Sequence, residues 1–140
     1  LAQRKVTVEA LIQCRILEIT LDLFEHASFD LKQRMASYSS SIACLTTNEI
    51  KVQMVEMGYL NIFVEVLDVN NVDITSLIMD GITALFGCFQ GQPTNPCIDI
   101  FQEIGGFEFI AQIPADDDMP DKLVAQANYL LNTYYDLDLE

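Results

Sequence analysis

The sequence predicts an all-α fold in which about three repeats, each of three helices, stack into a right-handed solenoid. Apolar residues recur at helical spacing, breaks rich in Gly, Pro and Asn interrupt them, and similar stripes return at an interval in the forties. The longest stripe keeps one face of a helix for about four turns, which a lone helix cannot bury. It consists of Ile74, Leu77, Ile78, Gly81, Ile82, Leu85, Phe86 and Phe89.

The first repeat is predicted to cover approximately residues 5–45. Ser28 stands just before its third helix and offers a side-chain N-cap. The three helices are predicted over 6–14, 15–25 and 29–45. On the third of them we expect one buried face, made of Leu31, Met35, Tyr38, Ile42 and Leu45.

The second repeat is predicted to cover approximately 46–91. It opens with a capping-box spacing between Thr46 and Glu49, and Gly58 supplies the left-handed residue that ends its first helix. Its helices are predicted over 50–57, 59–67 and 73–89.

The third repeat is predicted to cover approximately 92–140. Asn95 and Pro96 have the residue types of an N-cap and a first helical position, and Gly105 and Gly106 break the pattern again. Its helices are predicted over 96–104, 107–113 and 120–135.

The third helices of the repeats match one another in sequence pattern. A helical repeat of this length is typical of armadillo or HEAT units, and three helices with Gly before the second favour armadillo. A shift of 43 residues takes Leu31, Met35, Tyr38 and Ile42 to Ile74, Ile78, Gly81 and Leu85, and a shift of 49 takes Ile74, Ile78, Ile82 and Leu85 to Leu123, Ala127, Leu131 and Tyr134.

Length and composition indicate one domain with a core of its own. The chain has 140 residues, and 51% of them are apolar, which argues against disorder. No apolar run is long enough to span a membrane, and no signal peptide pattern opens the chain. The chain begins without Met, so we expect a fragment of a longer protein.

Charge is distributed unevenly along the chain. The net charge is −14, but residues 1–51 hold six basic and six acidic groups, whereas residues 52–140 hold fifteen carboxylates and only Lys122. Phosphates would be repelled, so a nucleic acid is not expected as a partner. A basic protein partner would be attracted, although the charge could also serve solubility alone.

The residues that carry metal or catalytic chemistry are sparse. Cys14, Cys44, Cys88 and Cys97 form no CxxC pair and His26 is the only histidine, so no metal site is expected. Cys14, Cys44 and Cys88 are expected to be buried, and Cys88 and Cys97 could approach each other, although free thiols in a reducing compartment are the preferred interpretation. Without a catalytic set or a phosphate loop, neither an enzyme nor a cofactor is expected.

Short stretches in all three repeats resemble one family, in the same order along the chain. Residues 27–33 (ASFDLKQ) are similar to its AEFDIKKE, 54–60 (MVEMGYL) to its LVELGCI, and 79–82 (MDGI) to its LDGL. Asn95-Pro96 followed by 101–107 (FQEIGGF) is similar to its NPY and IEEAGGL. The chain therefore resembles the C-terminal armadillo repeats of the importin-α family, the adaptors that carry proteins with nuclear localisation signals into the nucleus.

The resemblance implies where a signal peptide would lie. In that family a Trp and an Asn one helical turn apart on the third helix hold the peptide, the Trp along a lysine stem and the Asn on the backbone. This chain has no Trp. The family's last two repeats lack the pair in any case, and these positions could also be ordinary helix surface. The corresponding concave-groove positions are Ala36 and Ser40, Asp80 and Ala84, and Tyr129 and Thr133.

The resemblance also implies protein partners in the cytoplasm and the nucleus. They are basic cargo signal peptides, the export receptor with Ran-GTP, a nucleoporin, and importin-β through an N-terminal arm outside this sequence. We expect acidic partner-binding residues at Asp116, Asp117, Asp118, Asp136, Asp138 and Glu140, although the first three could only cap and solubilise the last helix. Another armadillo scaffold of the signalling or junction kind, or a purely structural end cap, remains open.

Overall fold

The computed structural model describes residues 2–135, and within them the chain forms nine α-helices and no strand. The predicted all-α class is therefore confirmed. The helices are α1 (Ala2–Gln13), α2 (Ile16–Phe24), α3 (Phe29–Leu45), α4 (Asn48–Met57), α5 (Tyr59–Glu65), α6 (Val72–Gly87), α7 (Pro96–Glu103), α8 (Gly106–Gln112) and α9 (Asp121–Tyr134).

Side-chain caps start four of these helices. Ser28, Thr47, Asn71 and Asn95 each accept a hydrogen bond from a backbone N–H in the first turn of α3, α4, α6 and α7. The caps of α3 and α7 were predicted. The capping box predicted at Thr46 is wrong by one residue, because Thr46 closes the last turn of α3 with its own N–H and leaves the cap of α4 to Thr47.

The nine helices follow one another as three triplets, α1–α3, α4–α6 and α7–α9. A residue in the left-handed conformation separates the first two helices of each triplet. Gly58 has φ 97° between α4 and α5, and Gly105 has φ 89° between α7 and α8. Arg15 takes the same place between α1 and α2 with φ 62°. A side chain in this conformation costs about 1 kcal/mol, so glycine is the easier residue there. The sequence marks two of the three junctions with glycine, and the junction at Arg15 carries no such signal.

The third helices, α3, α6 and α9, lie side by side and run parallel. Near the starts of α3 and α6, the Asn71 side-chain N–H donates to Gln33 Oε1 over 3.5 Å. At their middles, the Ser40 hydroxyl donates to the carbonyl oxygen of Leu77. Near the ends of α6 and α9, the ring centres of Phe86 and Tyr134 lie 4.8 Å apart. The chain therefore places α6 between α3 and α9.

The core runs through all three triplets and fixes this arrangement. Tyr59 is fully buried, and its hydroxyl donates to the carbonyl oxygen of Leu17 over 2.6 Å, which joins α5 to α2. Phe86 packs edge-on against Phe101 at 5.3 Å between ring centres, which joins α6 to α7. Burying such aromatic side chains contributes about 2–3 kcal/mol each.

Several residues expected in the core are exposed. Leu31, Tyr38 and Leu77 keep 49%, 53% and 46% of their surface open. Each lies on a helical face that was identified as apolar, but at an edge that none of the nine described helices fully covers. Cys14 and Cys44 are also exposed, contrary to the prediction, whereas Cys88 is buried as expected and Cys97 is buried with it.

Candidate protein-binding surface

The outward sides of α3, α6 and α9 form one continuous surface, which we call the third-helix face. The core lies behind it, because these helices turn their buried residues toward each other and toward the first two helices of each triplet. The face consists of Arg34, Ser37, Ser41 and Cys44 from α3, Asp73, Leu77, Asp80 and Ala84 from α6, and Lys122, Gln126, Tyr129 and Thr133 from α9.

The side chain of Gln126 connects α9 to α6 by hydrogen bonds at the centre of this face. Its side-chain N–H donates to Asp80 Oδ1 over 2.8 Å and to the carbonyl oxygen of Ser76 over 3.0 Å. Its Oε1 accepts from the Ser76 hydroxyl over 3.1 Å. Asp80 is exposed, and in these contacts it bonds through Oδ1 alone. A cation that approaches the face therefore meets an exposed carboxylate.

Cys44 lies across the α3–α6 boundary from Asp80. Desolvation raises the pKa of its thiol, the negative charge of Asp80 raises it further, and Lys51 opposes the shift. The thiol is therefore neutral at physiological pH and is a poor nucleophile. Cys44 contributes a small apolar surface beside the carboxylate.

The third-helix face carries as many cations as carboxylates. Arg34 and Lys122 are its basic residues, and Asp73 and Asp80 its acidic ones. Arg34 pairs with Asp30 one turn earlier on α3, at 3.4 Å between Nε and Oδ2. The charges on this face therefore balance, and the net charge of −14 comes from residues outside it.

The two groove positions expected in the first triplet are buried. Ala36 and Ser40 expose 0% and 1% of their surface. The helix α6 lies directly against them, since Ser40 donates to Leu77 O and contacts Gly81. The prediction that Ala36 and Ser40 line an open groove is therefore wrong: they form the seam between α3 and α6.

The other four expected groove positions lie on the third-helix face. Asp80 and Thr133 are exposed, and Ala84 is half-buried. Tyr129 keeps 49% of its surface open and follows Gln126, the residue that bonds Asp80, by one helical turn. An exposed aromatic ring can hold a lysine or arginine side chain against its face.

The loop between α8 and α9 presents the acidic run. Asp116 Oδ1 accepts from the backbone N–H of Asp118 over 2.9 Å, so this carboxylate orders the loop itself. The three carboxylates at 116–118 are exposed. They do not cap α9, whose N-cap is Pro120 without any side-chain bond.

Beside the loop lies a hollow of about 130 Å³ lined in part by Phe109 and Met119. The predicted contacts Asp136, Asp138 and Glu140 lie outside the described residues.

Sequence reasoning missed Gln126 and Leu77 as parts of this surface. Gln126 stands one helical turn before Tyr129, so helical spacing alone could have placed it on the same side. Its bonds to Ser76 and Asp80 have no sequence signal, because they depend on how far α9 lies from α6.

Within the described range, no three residues of the types that bind metals come together, and no helix is long and apolar enough to cross a membrane. Comparison with protein-family models, with curated proteins and with solved structures gave no match.

Proposed function

We propose that this chain is an armadillo-type helical-repeat module that binds protein partners, and that it forms the C-terminal part of an importin-α-like adaptor for nuclear import. The observation that supports this best is the open face shared by three parallel third helices. A surface of this kind suits an extended partner segment, because it offers adjacent helices in one row rather than an enclosed cavity.

The armadillo architecture is supported by features that recur in each triplet. The left-handed residues Arg15, Gly58 and Gly105 stand at corresponding junctions. The third helices contact each other in sequence, α3 with α6 and α6 with α9. In an armadillo solenoid such third helices line the concave side, so the third-helix face would be the concave surface.

The chemistry of the proposed partner is basic. A net charge of −14 attracts a basic protein from a distance and raises its rate of association. On the third-helix face, the exposed carboxylate of Asp80 and the exposed ring of Tyr129 each suit a lysine or arginine side chain. Away from it, the carboxylates at 116–118 suit a basic surface of a larger partner, such as the export receptor that recycles importin-α adaptors.

Because Trp and Asn pairs are absent, we expect this chain alone to bind a localisation signal weakly. Without a Trp, stacking along a lysine stem is left to Tyr129. Single exposed cation–aromatic contacts contribute about 0.5–1 kcal/mol. Recycling contacts, rather than cargo capture, are then the main proposed role of this region.

A different armadillo scaffold is the second candidate. The observation in its favour is that the third-helix face has two cations and two carboxylates and that Ala36 and Ser40 are buried. Such a face would suit a partner of mixed charge as well as a basic one.

Binding experiments separate the two candidates. The chain would be titrated by calorimetry with a basic bipartite peptide, with an acidic peptide of equal length, and with an export receptor in the presence and absence of Ran-GTP. The adaptor proposal predicts weak binding of the basic peptide and Ran-GTP-dependent binding of the receptor. Binding of the acidic peptide with equal affinity, and no binding of the receptor in either condition, would favour the scaffold.

A further inference from the structure

Two buried thiols converge on one backbone oxygen at the junction of the second and third triplets. The Cys88 thiol donates to the carbonyl oxygen of Leu85 over 3.0 Å, and the Cys97 thiol donates to the same oxygen over 3.5 Å. Because both bonds end on one atom, the two sulfurs are separated by no more than these two distances together. Rotations of the two side chains about their Cα–Cβ bonds direct the sulfurs toward or away from each other.

The surrounding backbone holds the two cysteines in this position. Cys88 is the C-cap of α6, and Cys97 is the second residue of α7. The Asn95 side-chain N–H donates to the carbonyl oxygen of Phe86 over 3.0 Å, which ties the start of α7 to the last turn of α6. The loop 88–96 therefore returns on itself and brings both sulfurs to the carbonyl oxygen of Leu85.

We propose that Cys88 and Cys97 are a reversible thiol–disulfide site that locks the end of α6 to the start of α7 when it is oxidised. The oxidant is a small-molecule disulfide such as oxidised glutathione. The Cys88 thiolate attacks one sulfur of that disulfide, forms a mixed disulfide and releases one thiol. The Cys97 thiolate then attacks the Cys88 sulfur, forms the internal disulfide and releases the second thiol. Two protein thiols are oxidised, and one external disulfide is reduced to two thiols.

Burial determines the order and the speed of these steps. Cys88 exposes 8% of its surface and Cys97 none, so the external disulfide reaches Cys88 first. Burial raises the pKa of both thiols, that of Cys97 to about 12, so thiolate is scarce in the closed structure. Oxidation therefore proceeds through local opening of the loop 88–96 and is slow beside that of an exposed thiol.

The oxidised state would change the junction rather than the surface. A bond between Cys88 and Cys97 closes a short loop and limits how far the third triplet can move relative to α6. The site depends on the junction geometry alone, so it stands whether or not the proposed function is correct.

The test uses the full chain in which Cys14→Ser and Cys44→Ser remove the two exposed thiols. It is incubated with oxidised glutathione, its free thiols are alkylated, and the digested peptides are weighed without reduction. We expect a peptide pair joined between positions 88 and 97, with the loss of two hydrogens, and a thermal midpoint raised by about 5 °C that dithiothreitol reverses.

Two further variants in the same background check the order of attack. Cys97→Ser should stop at glutathione attached to Cys88, and Cys88→Ser should leave Cys97 unmodified at the same time. Glutathione that stays on Cys88 while Cys97 is present, or two cysteines that remain free after prolonged incubation at a temperature that opens the loop, would overturn the proposal.

Discussion

Ser40 on α3 and Gly81 on α6 lie so close together that no side chain fits between them. A Cβ atom built on Gly81 would lie 2.3 Å from Ser40 Oγ and 2.8 Å from Ser40 Cα. The Ser40 hydroxyl donates to the carbonyl oxygen of Leu77 in the same seam. Small residues and a hydrogen bond thus join α3 to α6. This close contact sets the spacing of the two helices and therefore the width of the third-helix face.

Gly81→Ala should destabilise the protein by about 1–3 kcal/mol, because α3 and α6 must move apart to admit one methyl group. Chemical denaturation measures the free energy of unfolding. Gly87→Ala is the matched control on the same helix, since a Cβ there meets no atom within 4 Å. It should stabilise by about 0.5–1 kcal/mol through helix propensity. Equal effects of the two substitutions would contradict the close contact.

Most of the local structure could be predicted from the sequence. The bounds of α3 were predicted to the residue, and the left-handed Gly58 and the caps Ser28 and Asn95 follow from the chemistry of those side chains. These features depend on neighbours along the chain, which a sequence shows directly.

The sequence could not show which edge of an apolar stripe a neighbouring helix would cover. Periodicity identified Leu77 as part of the longest stripe, but it cannot show that α3 approaches α6 on the side of Gly81 instead. The same limit explains the error at Ala36 and Ser40. The family resemblance placed these two residues in an open groove, but they are buried because α6 packs closely against them. Of the candidate site, Asp80, Tyr129 and the aspartates at 116–118 are exposed, and their contact with a partner stays a prediction.

Gln126→Ala should loosen α9 from α6, because it removes the side chain that bonds Ser76 and Asp80. We expect a loss of about 1–2 kcal/mol in unfolding free energy. Faster hydrogen exchange should appear in α9 before it appears in α3. Asn132→Ala, an exposed amide on the same helix, is the control and should change neither. Uniformly faster exchange along the whole chain would count against a local tie.

Tyr59 should make stability fall at alkaline pH. Burial raises the pKa of Tyr59 from 10.0 to about 12, so the folded state favours the neutral phenol. The stabilisation is complete below pH 10.0, the value for an unfolded chain, and is lost as the pH rises through about 12. Unfolding free energies measured across this range should decline, and phenolate absorbance should follow.

Tyr59→Phe should reduce that decline and cost about 1–2 kcal/mol at neutral pH, because the carbonyl of Leu17 loses its donor. Tyr38→Phe removes a hydroxyl from an exposed tyrosine and should leave neutral-pH stability unchanged. An alkaline decline as steep in the Tyr59 variant as in the unaltered chain would show that this phenol is not its source.

Asparagine substitution of all three aspartates at 116–118 should weaken binding to a basic protein partner and flatten the dependence of its affinity on salt. Titration at several salt concentrations gives both quantities. The matched control neutralises Asp99, Glu103 and Glu108, which removes the same charge from exposed positions of the same triplet. If both sets of substitutions weaken binding equally, net charge alone explains the attraction and the loop has no specific role.

The central claim is that α3, α6 and α9 share one open surface that receives a protein partner. Nuclear magnetic resonance of the isotope-labelled chain, titrated with a basic bipartite peptide, tests it residue by residue. The account predicts shifts concentrated at Asp73, Leu77, Asp80 and Tyr129, with little change on α2, α5 and α8. Shifts confined to the second helices, or no shift at a large excess of peptide, would contradict it.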